Sequence, residues 1–210
     1  VRALVVYCHP RPESFNAAIR DLVCEKLAQA GAELRLLDLY AEGFNPVMGR
    51  EELGQHFDES VNQQGLEAHV DHLRWCDTLL FVYPTWWYGL PAMLKGWLDR
   101  AFLPGVAFLM PDGVNDDLRP NLHHITRLGV FTTCGASWWL TRMIGAPGRR
   151  TLMRGVGLLL KPRCKKVFAA HYLMDSSTPE SRAKHLARVA AKMDRLIGAP
   201  GAQARPEPAQ

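Results

Sequence analysis

Tyr83-Pro84-Thr85-Trp86-Trp87-Tyr88-Gly89-Leu90-Pro91 is the stretch on which the reading of this chain turns. Just before it runs Thr78-Leu79-Leu80-Phe81-Val82, uncharged and almost wholly apolar, the pattern of a strand buried on both faces of a sheet. Just after it comes Ala92-Met93-Leu94-Lys95-Gly96-Trp97-Leu98-Asp99-Arg100, which reads as a helix with Pro91 at its start. Three consecutive aromatic side chains therefore sit on a strand-to-helix loop. In a parallel sheet that loop lies at the carboxyl end of the strand, where α/β proteins take up ligands. A flat, apolar shelf with hydrogen-bonding edges suits a planar conjugated ligand.

Outward from this stretch the chain alternates between strands and helices. Arg2 to Cys8 reads as a first strand, ended by the proline-punctuated loop His9-Pro10-Arg11-Pro12-Glu13-Ser14. Ser14 can cap the helix that follows, in which Phe15, Ile19, Leu22, Val23 and Leu27 recur at helical spacing up to Gly31. Glu33 to Leu39 is a second strand, one helix away from the first, so the two form a right-handed βαβ unit. Residues 40–61 look like a long excursion, helical over Glu51 to Asp58, and a helix from Leu66 to Trp75 leads back to the third strand at 78–83. Beyond the aromatic loop, Phe102 to Pro111 is apolar and Asp112 to Asn121 is a polar turn or hairpin. Ile125 to Thr132 is a fourth strand, Arg149 to Leu160 a helix, Lys165 to His171 a fifth strand, and Thr178 caps a last helix that Gly198 stops after Ile197.

Five parallel-type strands alternating with helices make an α/β doubly wound sheet, and they fit the flavodoxin-like order 2-1-3-4-5. Neither repeat nor boundary interrupts the pattern, so residues 1–198 are expected as a single domain, with 199–210, rich in Pro, Ala, Gly and Gln, as a disordered tail.

Composition narrows the classes of function. Apolar residues make up 48% of 210 residues, which excludes bulk disorder. The net charge of +4 is spread along the chain with no basic block, so nucleic acid is not an expected partner. The cysteines at 8, 24, 76, 134 and 164 are odd in number and form no CxxC, which fits free thiols in a reducing cytoplasm rather than a disulfide framework or a zinc site. Ala3 to Cys8 is too short for the apolar core of a secretory leader. The longest uncharged run, Thr78 to Leu94, contains Pro84, Gly89 and Pro91, so strand, loop and helix describe it better than a membrane span. His69 with His72, and His123 with His124, lack a third clustered ligand, and no metal is expected.

In the 2-1-3-4-5 order the loops after strands one, three and four converge at the switch point. The first, around His9, Ser14 and Asn16, opens a helix whose free backbone N–H groups and dipole favour an anion such as a phosphate. The same residues also fit a simple capped helix. The second offers Trp86, Trp87 and Tyr88 as a stacking shelf or as core or dimer contacts. The third, Thr132-Thr133-Cys134-Gly135, is small and hydroxyl-rich, and Gly135 admits close approach of a ligand. Cys134 has no identifiable His or Asn partner and reads as a small filler rather than a nucleophile.

Taken together, His9-Pro10, Ser14-Phe15-Asn16, Asp38-Leu39-Tyr40, Phe44-Asn45-Pro46, Tyr83-Pro84, Trp87-Tyr88-Gly89-Leu90-Pro91, Leu94-Lys95-Gly96-Trp97, Pro104 to Phe108 and Thr132-Thr133-x-Gly135 appear in the order of a known family. The chain resembles the NAD(P)H:quinone oxidoreductases of the DT-diaphorase type and their short bacterial relatives. The resemblance covers residues 2 to 175. It implies that His9, Ser14, Phe15 and Asn16 hold a flavin phosphate or pyrophosphate. It implies that Pro84, Thr85, Trp86, Trp87 and Tyr88, with Thr132, Thr133, Cys134 and Gly135, hold the isoalloxazine. Phe108 and Met110 match a segment that covers the neighbouring active site across a homodimer. The length of the 40–61 excursion favours FAD, with FMN as the alternative, and NAD(P)H as electron donor.

One departure stands out. The larger quinone reductases carry a tyrosine and a histidine after the Thr-Thr-Gly-Gly loop, whereas here the segment reads Ala136-Ser137-Trp138-Trp139-Leu140-Thr141-Arg142, with no histidine before His171. Arg142, Arg149 and Arg150 are the candidates to replace that relay, since a nearby cation favours an anionic reduced flavin. A solvated or dimer-facing surface is the plainer account of all three. The reading is a cytoplasmic flavin-dependent oxidoreductase that passes a hydride from NAD(P)H to a quinone or similar flat acceptor in a ping-pong cycle, with Tyr88 the candidate hydrogen-bond donor to the acceptor. Its rivals are a regulatory flavoprotein that docks on a partner such as a membrane transporter, and a one-electron carrier.

Overall fold

The apolar run at 78–82 does form the central strand, and the strand runs further than its composition predicts. The computed structural model describes residues 1–113 and 117–198, so the expected disordered tail at 199–210 lies outside the described residues. In chain order the elements are β1 (Arg2–Tyr7), α1 (Phe15–Gln29), β2 (Glu33–Asp38), α2 (Arg50–Gln55), α3 (Glu67–Trp75), β3 (Thr78–Thr85), α4 (Ala92–Ala101), β4 (Phe108–Leu109), β5 (Arg119–Pro120), β6 (Arg127–Cys134), α5 (Trp138–Met143), α6 (Pro147–Arg150), α7 (Gly157–Leu159), β7 (Lys165–His171) and α8 (Pro179–Ile197). A π turn, Thr151–Val156, joins α6 to α7, and a 3-10 turn, Met174–Ser176, follows β7.

The main sheet is parallel throughout, in the order β2-β1-β3-β6-β7. This is the flavodoxin-like 2-1-3-4-5 arrangement, because β4 and β5 pair only with each other as a short antiparallel ribbon. One face of the sheet packs Leu4, Val6, Phe81 and Val130 against α3, α4 and the 147–159 helical segment. The other packs Val5, Val82 and Phe131 against α1 and α8. Trp97 of α4 is fully buried on the first face and donates its indole N–H to His69 Nδ1 at 3.4 Å, so His69 belongs to the core.

Two strands, β3 and β6, differ from expectation by two residues at a boundary. β3 continues through Pro84 and Thr85, and β6 starts at Arg127 and continues through Thr133 and Cys134, in register Tyr83↔Thr132, Pro84↔Thr133 and Thr85↔Cys134. β1 has already left: its last pair is Tyr7↔Val82, and Cys8 N–H donates to Val82 O at 3.0 Å. Residue 82 thus turns its peptide groups toward β1, and by the two-residue alternation so does residue 84. The missing N–H of Pro84 falls on the vacated side and costs no ladder bond. At the other end, the Thr126 and Arg127 N–H groups both reach Asp77 O, which sets Arg127 opposite Thr78 and leaves the buried Ile125 before the strand.

The helix expected over 149–160 begins at Pro147 and widens into the π turn. Lys166 Nζ donates to Met153 O and Gly157 O at 3.2 and 3.0 Å, satisfying carbonyls there. The 40–61 excursion contains α2 and is fastened to α4. Phe44 is buried, and Arg100 pairs with Glu52 at 2.7 Å while also donating to Asn45 O. A Cβ on Gly96 would lie 2.2 Å from Pro46 O and 2.6 Å from Pro46 Cα. Only glycine allows this contact.

Gly96→Ala should therefore destabilise the protein by about 2 kcal/mol, the cost of forced overpacking against backbone. An unchanged denaturation midpoint would mean that Pro46 does not seat on α4. A second expectation concerns His185 of α8, which is 2% exposed, packs edge-on to His171 at 5.2 Å, and has neither ring nitrogen hydrogen-bonded. Burial, helped by His171 and Arg188, lowers its pKa to about 4. The unfolded chain binds this proton below the usual value of about 6.5 and the folded chain does not. Stability from this group is thus present above pH 6.5 and is lost as pH falls toward 4, by up to roughly 3 kcal/mol. His185→Leu should flatten the pH dependence of unfolding in that window, and an unchanged slope would refute the assignment.

Candidate functional site

Because β1, β3 and β6 are neighbours, their carboxyl ends meet, and the segments that leave them enclose a cleft of about 590 Å3. The loop after β1 contributes His9, Ser14, Phe15 and Asn16. The end of β3 and its turn contribute Pro84, Thr85, Trp86, Trp87 and Tyr88, and the end of β6 contributes Thr133, Cys134 and Gly135. Every residue expected to hold a cofactor lines this cleft except Thr132.

Thr132 is buried behind the wall, with its Oγ1 2.8 Å from Thr85 Oγ1. Its side chain alternates with that of Thr133 along β6, so only one of the two faces the cleft. Phe108 and Met110, on and just after β4, do not line the cleft of their own chain.

Ser14 is the N-cap of α1: its Oγ accepts the Ala17 N–H at 3.2 Å and lies 3.3 Å from the Tyr7 hydroxyl. The Asn16 amide N–H donates to Thr133 Oγ1 at 2.9 Å, tying the first loop to β6, while its Oδ1 is buried with no partner. His9 Nδ1 accepts the Arg11 backbone N–H at 3.0 Å. Burial lowers the His9 pKa, so the ring is neutral and presents Nε2–H as a donor.

The turn after β3 is strained. Trp86 O accepts the Gly89 N–H at 3.0 Å, and both central residues, Trp87 and Tyr88, have left-handed φ of 52° and 62°. Such a turn ordinarily takes Asn and Gly, and each non-glycine residue held there costs about 1 kcal/mol or more. The two rings stack at 6.2 Å and 16°, with Trp87 92% exposed. Burial does not explain the strain, which is the mark of a surface shaped for contact with something else.

Four further lining residues escaped the sequence reading: Ala136, Leu140, Met174 and Asp175. The last two come from the 3-10 turn after β7, which is tied to the β6 loop by Leu173 N–H donating to Ala136 O at 3.3 Å. The Asp175 carboxylate comes so close that a Cβ on Gly135 would lie 2.7 Å from it. The available signal was positional: β7 is the next strand beyond β6, so its carboxyl end also opens toward the cleft. Arg142 and Arg150 are exposed and line neither the cleft nor its surroundings. Arg149 is half-buried and lines a small void behind the cleft wall. Among the described residues no group of three or more His, Cys, Asp or Glu side chains could hold a metal ion, and no helix is long and apolar enough to cross a membrane.

Residues 1–195 match the family described as flavodoxin-like fold. The chain is 30% identical over 126 residues to ribosyldihydronicotinamide dehydrogenase [quinone] of Mus musculus, covering 52% of this chain and 54% of that one. It is 36% identical over 113 residues to an uncharacterised NAD(P)H oxidoreductase of Escherichia coli K12, covering 51% and 55%. The chain thus spans about half the length of these curated relatives. Among solved structures, that of Smu.1420 from Streptococcus mutans superimposes with a TM-score of 0.76 at 26% identity, covering 93% of this chain and all of the other. With its sheet order, its converging carboxyl ends and a match over nearly all the described residues, the chain belongs to the flavodoxin-like fold family and is a relative of the NAD(P)H quinone oxidoreductases.

Proposed function

We propose that the cleft binds a flavin and that this protein carries two electrons from a reduced nicotinamide to a quinone or a similarly flat electrophile. The observation that carries the proposal is the strained Trp87–Tyr88 turn, two stacked rings held open beside the carboxyl ends of β3 and β6. The names of the mouse and Escherichia coli relatives supply the donor and acceptor class.

The donor set fits a flavin. At one end stand a neutral imidazole N–H from His9, the Ser14 hydroxyl and backbone N–H groups at the start of the 15-residue α1. These donors suit a phosphate or pyrophosphate. Between Pro84–Tyr88 and Thr133–Gly135 the walls are small, aromatic or hydroxyl-bearing, which suits an isoalloxazine. FAD is the preferred form, with FMN the alternative. A bound flavin supplies the two-electron chemistry, and the protein supplies position and electrostatics.

The chain's own side chains then have separate tasks. His9, neutral near pH 7, donates to the phosphate without a proton being lost or gained, so cofactor retention is steady across neutral pH. Trp87 and Tyr88 form the apolar shelf on which nicotinamide and acceptor bind in turn, and one shared place gives ping-pong kinetics. The Tyr88 hydroxyl donates to an acceptor oxygen. Both partners are flat, so the shelf selects for shape more than for particular polar groups. Trp138, Trp139 and Met143 lie exposed on α5, and they favour a homodimer in which Phe108 and Met110 of one copy cover the cleft of the other.

The purified protein should be yellow, bleach on anaerobic addition of NADPH or NADH, and recolour with a quinone. Mass spectrometry of the released cofactor separates FAD from FMN. A colourless protein that takes up neither flavin would overturn the reading. Trp87→Gly should act in opposite directions on fold and function. It removes the left-handed strain and stabilises the apoprotein by about 1 kcal/mol, while loss of the stacking surface lowers kcat/KM for quinones about tenfold. Melting temperature and steady-state kinetics on one preparation check both signs.

A further inference from the structure

Thr85, Tyr88 and Cys134 have a second side. Behind them lies a narrow, partly open void of about 20 Å3, lined also by Tyr83, Thr132, Arg149 and Tyr172. The same three residues thus line the cleft on one side and share a void with Arg149 on the other.

Arg149 is unlike the other arginines of its segment. Its guanidinium lies 5.2 Å from the centroid of the Phe168 ring and, among the described residues, forms no ion pair with a carboxylate. Arg142 is exposed over Trp138, and Arg150 is exposed beside Gly145. The field of Arg149 reaches the neighbouring Tyr172 phenol, whose pKa burial and Cys134 raise and Arg149, Arg142 and Arg188 draw down. A half-buried, uncompensated cation is screened less than a surface one, so it favours negative charge in front of it.

The cleft needs such a group. Of the side chains that line it, His9 is neutral and Asp175 is a carboxylate, while Tyr88 and Cys134 carry no positive charge in either protonation state. A hydride taken from a reduced nicotinamide brings one proton and two electrons. The donor's C–H bond breaks, the donor becomes the nicotinamidium cation, and a neutral flavin gains one hydrogen and one negative charge.

We propose that Arg149, braced on Phe168 behind the Thr85–Tyr88–Cys134 wall, is the positioning residue that compensates this charge, in a chain that lacks the family's tyrosine and histidine after the β6 loop. This rests on the flavin-binding reading above. Tyr83 and Tyr172 share the void with Arg149 and stay neutral there, since burial raises both phenols, so neither cancels its charge.

The test is a pH titration of the flavin-loaded, fully reduced protein, followed by absorbance, together with the two-electron midpoint potential. Arg149→Gln should raise the pKa of the reduced cofactor by about one unit and lower the midpoint by about 30 mV, the equivalent of tenfold for two electrons. Flavin affinity should be unchanged. Arg149→Lys should recover most of the shift, and Arg142→Gln, at an exposed and better screened side chain, should move both readings by clearly less than half as much. Should Arg149→Gln fail to fold, Arg149→Met, which keeps the apolar stem over Phe168, reads the same difference. A flavin-loaded variant with neither pKa nor potential moved would overturn the role of Arg149 alone. Equal shifts from Arg142→Gln and Arg149→Gln would also overturn it, since net charge and not position would then be responsible. A wild-type protein that holds no flavin would overturn the reading beneath it.

Discussion

The cleft exists because β1 leaves the sheet before β3 and β6 do. Its last hydrogen bond runs from Cys8 to Val82, while β3 and β6 stay paired as far as Thr85 and Cys134. That leaves a step at the carboxyl edge of the sheet, and the segment entering α1 turns across it. The Asn16–Thr133 hydrogen bond spans the step, joining the loop of the departed strand to the far strand. Without this difference in length, the three loops would stand side by side and would not enclose a volume.

The step also sets where polar groups can go. β3 is buried from Thr78 to Pro84, so each hydroxyl along this part of the sheet needs an internal partner. Thr85 and Thr132 bring their hydroxyl oxygens to 2.8 Å, and the Thr132 hydroxyl also reaches Thr133 O at 3.2 Å. The arrangement gives the cleft a hydroxyl-rich back wall that is rigid because its members are satisfied. Strain is confined to the turn just outside it, where Trp87 and Tyr88 take left-handed backbone on a surface that the chain itself does not cover. Rigid wall and strained lip are adjacent in sequence and opposite in character.

Much of this was legible in the residues. Four main-sheet strands were readable from their apolar residues, β2 from its place one helix after β1, and five such strands fit the flavodoxin-like order. Pro84 was misleading: proline reads as the end of a strand, yet the vacated side of β3 tolerates it. Thr133 and Cys134 were read as loop because their small side chains lack the apolar signature of the strand they complete. Asp175 and Met174 were invisible for another reason. Asp175-Ser176-Ser177-Thr178 resembles the polar lead-in to a capped helix, and nothing local tells that β7 and the Leu173–Ala136 bond bring it back over Gly135. The three arginines could be named from sequence but not ranked, because exposure is a property of packing. The aromatic shelf could be placed on its turn, but not its left-handed backbone, because nothing in a Trp-Tyr pair announces positive φ.

The position of α8 bears on how the chain is made. After the β1–α1–β2 unit, each later strand of the main sheet adds outward in the order of synthesis: β3 beside β1, then β6, then β7. The sheet can therefore grow on the ribosome without rearrangement. Its second face cannot close so early. α1 covers only part of it, and the rest awaits Val189, Met193 and Leu196 of α8, clasped to α1 by the ion pair between Lys26 and Asp194 at 3.0 Å. A nascent chain released up to β7 but not beyond carries a complete set of strands with one apolar flank bare, the kind of species that chaperones exist to shield.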